Sequence, residues 1–275
     1  MSYENLLSNK TAPSLTKQLV SGLYNNLESI RIARVGTCLL LTGGHRNNPV
    51  IAKSANSILG LQQNDGGWID IEETMWCLAF LGRLGWATEK YFESGLTWLN
   101  SQRHHGGGWG RINRDKPRIP ITGLLLHLLP ELSDSKDVSW LKDEWGKDLK
   151  SDTRLTYKGG FFLLGLSASE VSANDCPLIE ETFTYLYEEQ NEDGGFGPWK
   201  NHPIGSDPWS TGIVLLGLLS YPEFLKRAVI EKTVNWLAET QLPNGLWPCH
   251  YIEEGSAYAY WGLVEALKYL SKDIG

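Results

Sequence analysis

"QQNDGGW", residues 62–68, joins a glutamine to an aromatic through a pair of glycines. The pattern returns as "QRHHGGGW" at 102–109, "QNEDGGF" at 190–196 and "QLPNGLW" at 241–247. Successive starts lie 40, 88 and 51 residues apart, so the middle interval holds two periods with a degenerate copy between them. Self-similarity at a period of about 40 residues marks a repeat architecture, with room for two helices and two turns per unit.

The flanking segments differ in kind. Before each turn, stretches such as "TEKYFESGLTWLNSQ" and "IEKTVNWLAETQ" space apolar residues three and four apart, with charges between them. These read as outer helices with one wet face. After each turn come "EETMWCLAFLGRLG", "PITGLLLHLLPEL", "YKGGFFLLGLSA", "WSTGIVLLGLLSY" and "SAYAYWGLVEALKYL", apolar nearly all round. Helices of that composition are buried. Gly123, Gly160, Gly165, Gly212, Gly217 and Gly262 recur inside them. Glycine weakens a helix, so its repeated use points to close helix approach. "SLTKQLVSGLYNNLES" and "RIARVGTCLLLTGG" add a first pair, and "DVSWLKDEWGKDLK" supplies the degenerate outer helix. Six outer and six inner helices close into an all-α (α/α)6 barrel of six hairpins, read as one domain over 1–275. In each turn the Gln bonds backbone groups left open at a helix end, Gly reverses the chain, and the aromatic packs on the next hairpin.

Bulk properties narrow the class. The 275-residue chain carries a net charge of −7 with its cations scattered, which argues against a nucleic-acid partner. Its four Cys form no C-x-x-C pair, and the N-terminus has neither a basic start nor an apolar signal core. No apolar run is long enough to span a bilayer. The reading is a cytoplasmic protein with free thiols, open to peripheral membrane contact.

The Q-x-x-D/N-G-x-W turns resemble the QW repeats of the terpene cyclase and prenyltransferase superfamily. Squalene-hopene cyclases and the β domains of class II diterpene cyclases are the most similar members. The resemblance runs over essentially the whole chain and implies a protonation-initiated cyclase of polyprenyl or prenyl-diphosphate substrates, an isomerase of isoprenoid biosynthesis. Class II cyclases carry D-x-D-D-T-A at the start of an inner helix, where the middle Asp is the proton donor. In "DIEETMWCLAFL", 70–81, Asp70 matches the first Asp, Glu72 the donor, Glu73 the last Asp and Thr74 the Thr. Glu stands where the family has Asp at two positions, and Met75 replaces a small residue. "DPWSTGIVLLGL", 207–218, keeps Asp and Thr without carboxylates between. Protonating an alkene needs a strong acid in a dry site, and clustered carboxyls keep at least one proton. The same residues also read as a helix start, with Asp70 as N-cap and Glu73 closing a capping box.

Carbocations are stabilised by ring faces. Trp76, Tyr157, Phe161, Trp209, Tyr258, Tyr260 and Trp261 fall near inner-helix starts and are the candidate substrate-binding aromatics, core packing being the alternative. Arg31, Arg34, Arg118, Arg154 and Lys158 either pair with the acids or hold a diphosphate, in which case magnesium would accompany the substrate; no other cofactor is expected. Cys249 and His250, with Cys38, Cys77 and His45, match no zinc spacing of the prenyltransferase β subunits, so no metal site is assigned. A zinc-dependent prenyltransferase-like subunit and a non-catalytic isoprenoid-binding scaffold are the alternative functions. Family cyclases usually place their pocket between two barrels. A lone mouth lined with aromatics therefore calls for a homodimer or a partner chain to cover it.

Overall fold

The inner helices form a closed ring. In a computed structural model, which describes residues 3–25, 28–43, 46–87, 89–112, 114–152 and 154–272, the inner helices are α2 (Ser29–Leu41), α4 (Ile71–Arg83), α6 (Ile119–Leu128), α8 (Thr156–Ala168), α10 (Pro208–Leu219) and α12 (Ile252–Lys272). Each packs on the next, and α12 returns to α2. Around them lie α1 (Tyr3–Tyr24), α3 (Pro49–Leu59), α5 (Lys90–Ser101), α7 (Ser135–Leu149), α9 (Leu178–Glu189) and α11 (Arg227–Thr240). The first and last helices, α1 and α12, pack together. Among the described residues there is no strand. Two starts differ from the sequence pattern: α1 begins at Tyr3 and runs through Pro13, and α12 begins at Ile252. The apolar spacing marks only the part of each helix that meets the core.

The glycines of the inner helices lie at the ring contacts. A Cβ on Gly165 would meet the Gly123 Cα at 2.8 Å, one on Gly217 the Gly160 Cα at 2.6 Å, and one on Gly262 the Gly212 carbonyl at 2.9 Å. Six wide helices can close a narrow ring only where backbones touch.

The aromatic turns fasten adjacent hairpins. Gln62 Nε2 donates to the Gly66 carbonyl at 2.7 Å and to Tyr91 of α5 at 2.8 Å. Gln190 spans to Val229 of α11 at 3.2 Å, and Gln241 to Thr11 of α1 at 2.9 Å, which joins the last hairpin to the first. Trp68, Trp109 and Trp247 are buried and donate their indole N–H to Ile58, Leu99 and Leu237 at 3.0, 2.8 and 2.7 Å.

The second copy departs from the expected role of its glutamine. The Gln102 side chain bonds only the neighbouring Ser101 hydroxyl among the described contacts. An extra residue in "QRHHGGGW" places Arg103, six residues before Trp109, where Gln62 stands relative to Trp68. Arg103 reaches the Leu132 carbonyl and pairs with buried Asp137 of α7, which also accepts the Gly108 N–H at 2.8 Å. A charged pair thus does the work of the amide in that turn.

Candidate active site at the barrel mouth

Inner helices all begin at one end of the ring, so their first turns and the preceding loops form a mouth. A hydroxyl near four of the six starts fixes the loop above it. Thr74, Thr122, Thr211 and Ser256 each accept the backbone N–H of the turn aromatic, Trp68, Trp109, Phe196 and Trp247, at 2.9 Å. The loops therefore sit rigidly over the mouth.

The three acids of "DIEET" take separate roles. Asp70 is the N-cap of α4, accepting the Glu73 N–H at 2.8 Å. The capping box is half made, because Glu73 does not reach back. Its buried carboxyl lies beside the Ser29 hydroxyl, and burial raises it above the usual carboxylate range. Of the three, Glu72 alone pairs with buried Arg34. It takes Arg34 of α2 at 3.2 Å and Arg111 at 3.3 Å. Burial still pushes it upward, outweighing both cations. Asp70→Ala is expected to cost about 1 kcal/mol, as loss of a helix cap does. A chemical melt of that variant checks this; a loss near zero would remove the cap role.

Arg34 is the hub. It is 5% exposed, lies 5.5 Å from the Trp76 ring, and also pairs with Glu254 of α12 at 3.0 Å. Arg31 pairs with Glu253 beside it. The other predicted cations have partners elsewhere: Arg118 with Asp115 at 2.8 Å, Lys158 with Asp148 at 2.5 Å, and Arg154 over the Tyr185 ring. Pairing with a carboxylate accounts for four of the five, but only Arg34 meets a predicted acid. Glu254 and Arg111 escaped the sequence reading. Arg111 is brought in by its own loop, whose carbonyl accepts the Ile71 N–H at 3.0 Å.

From this hub a run of rings crosses the interior. Trp76 meets Tyr258 at 6.0 Å between centroids, and Tyr258 meets Phe161 and Trp209 at 6.3 and 6.2 Å. Trp209 meets Tyr157 at 5.0 Å, and Trp261 lies 6.5 Å from Tyr258 on the same helix face. Tyr260 stands apart, its hydroxyl bonded to Thr42. Its place two residues after Tyr258 turns it off that face of α12. Beside Tyr157 and Trp209 an open-sided cavity of about 460 Å³ is further lined by Pro198, Ile204, Asp207, Cys249, His250 and Glu254. That volume lies within the usual range for small-molecule sites.

No family model matches the sequence. Over 101 residues it is 35% identical to a squalene–hopene cyclase of Zymomonas mobilis, a match that takes in 33% of this chain and 15% of that enzyme's length. The type II terpene cyclase MstE from Scytonema superposes over 96% of this chain and 98% of its own, with a TM-score of 0.69 and 17% identity. With geranylgeranyl dihydroxybenzoate bound, a variant of that cyclase gives 0.71 at 16% identity over the same shares. The chain has the type II terpene cyclase fold. The ent-copalyl diphosphate synthase of Streptomyces platensis matches over 87% of this chain but 50% of its own, with a TM-score of 0.58 and 14% identity. The terpene cyclase fold thus occurs both as nearly a whole chain and as half of one.

Among the described residues, no three His, Cys, Asp or Glu side chains group to hold a metal ion. Cys38 and Cys77 are buried, Cys249 is partly so, and His45 lies outside the described residues. No helix among those described is long and apolar enough to cross a membrane.

Proposed function

We propose that this chain cyclises a prenyl chain by protonating its terminal alkene or epoxide, with Glu72 of the Asp70–Glu72–Glu73 stretch belonging to the acid. One observation carries the reading: two carboxyls, Glu72 and Glu254, flank buried Arg34 at the head of a continuous run of aromatic rings. An acid beside ring faces is what forming and holding a carbocation requires. The likeness to a cyclase that binds a geranylgeranyl compound, nearly its whole chain matched, supports one barrel as sufficient.

Substrate access supports a covered mouth. The large apolar side chains most exposed among the described residues are Tyr24, Leu61, Ile69, Ile112, Trp199, Ile204 and Tyr251. All lie on or beside connections from an outer helix to the next inner one, at the mouth end. A second copy, a partner chain or a membrane surface would cover them; light scattering and vesicle sedimentation separate these. Four free thiols fit a cytoplasmic setting.

The test is incubation of purified protein with geranylgeranyl dihydroxybenzoate and with geranyl, farnesyl and geranylgeranyl diphosphates. Cyclised products isomeric with one of them are expected. Recovery of every substrate unchanged would leave the scaffold reading in its place.

A further inference from the structure

Building on the cyclase reading, we infer that Glu254 on α12 is the catalytic acid that meets the substrate, and that Glu72 is a positioning residue behind Arg34. Three observations lead there. Glu254 is among the residues that line the mouth cavity with Tyr157 and Trp209, and Glu72 is not. The two carboxyls share a single buried guanidinium, Arg34, at 3.0 Å from Glu254 and 3.2 Å from Glu72. Glu72 has a second cation, Arg111, at 3.3 Å, whereas Arg34 is the one cation paired with Glu254 among the described contacts. Arg34 thus joins a carboxyl on the cavity wall to one behind it. Arg111, which Asp70 shares at 3.7 Å, holds Glu72 behind Arg34, and Glu254 is the carboxyl of the pair that lines the cavity.

The other carboxyl lining the cavity is committed elsewhere. Asp207 caps α10, accepting the Ser210 N–H at 2.8 Å. Protonating it would weaken the bonds that start that helix.

The step balances without a co-reactant. The terminal π bond of the prenyl chain takes the Glu254 proton, which leaves a tertiary cation and a Glu254 carboxylate. The next double bond supplies the electron pair that closes the ring. The last cation loses a proton from an adjacent carbon, to Glu254 or to water, and the product is an isomer of the substrate. The rings of Tyr258 and Trp209, 6.2 Å apart, lie along the path of the charge.

The two roles separate by the size of the loss each substitution causes. Glu254→Gln removes the donor, so turnover should fall by about 10²–10⁴-fold at every pH from 5 to 8. Glu72→Gln keeps the donor and removes one of the two carboxylates that hold Arg34, so its turnover should fall less than that of Glu254→Gln across the same range. Substrate affinity, read by quenching of tryptophan fluorescence with the same prenyl compounds, should change by less than about tenfold in both. Glu254→Asp keeps a carboxyl and should retain more activity than Glu254→Gln; it also serves if the Gln variant fails to fold. A larger loss in Glu72→Gln than in Glu254→Gln would reverse the assignment, and near wild-type turnover by Glu254→Gln would overturn it. Wild-type protein that turns over none of the prenyl compounds would instead overturn the cyclase reading on which the assignment rests.

Discussion

Glu72→Gln is expected to cut turnover at neutral pH by about 10²-fold while leaving the fold intact, the low end of the scale on which removing the acid itself acts. The side chain keeps its size, so the first turn of α4 keeps its packing. What changes is the charge balance at Arg34, which is left with Glu254 as its one carboxylate partner among the described contacts. Stability moves in a defined direction with pH. Burial raises the Glu72 carboxyl in the folded protein, so its contribution is full below the ordinary carboxylate range and is lost as pH rises through the raised value. A permanently neutral amide in its place escapes that loss, so the variant should melt no lower than wild type at pH 8. Product assays beside thermal melts check both parts. Normal turnover would remove Glu72 from the mechanism, and a much lower melting point at pH 8 would make it a structural ion-pair residue.

Trp247→Ala should cost about 3–5 kcal/mol, as deleting a large buried aromatic does. Trp247 is wholly buried, donates its indole N–H to Leu237 at 2.7 Å and its backbone N–H to Ser256 at 2.9 Å. It also sits in the turn whose Gln241 joins α1, so the damage falls on the seam that closes the ring. A protein of this size loses roughly 2–4 °C of Tm per kcal/mol, which puts the drop near 10 °C. Trp247→Phe keeps most of the packing and gives up one hydrogen bond, for a cost of about 1–2 kcal/mol. Calorimetry on the two variants measures this. A Trp247→Ala melt within about 2 °C of wild type would contradict the role given to the turns.

The ring was legible because its signals are local. Outer and inner helices differ in how far round the apolar face extends, and that contrast repeats with the turns. Gly123, Gly160, Gly165, Gly212, Gly217 and Gly262 announced close contact by their cost to helix formation, and each proved to lie against a neighbouring backbone. Trp76, Phe161, Trp209 and Tyr258 were legible as aromatics on buried helices, but not the one run of rings they form. Arg103 was hidden by one inserted residue, which moved the bonding role off Gln102. The hydroxyls under the aromatic turns were hidden for another reason. Thr74 follows Trp68 by six residues and Thr211 follows Phe196 by fifteen, so no fixed spacing marks them. Glu254 was the least visible. Arg34 and Glu254 are 220 positions apart and meet only because α12 closes on α2. Read locally, "IEEGSAYAYW" shows two acids at a helix start, which the helix dipole alone would explain.

The claim that a proton from the protein starts the reaction is tested most directly by running it in D2O. The protein, equilibrated in deuterated buffer with its prenyl substrate, should give a cyclised product carrying one deuterium on the carbon where the terminal alkene was protonated. From an alkene substrate, a cyclised product with no deuterium bound to carbon would mean that something other than a carboxyl proton begins the cyclisation, and would contradict the account.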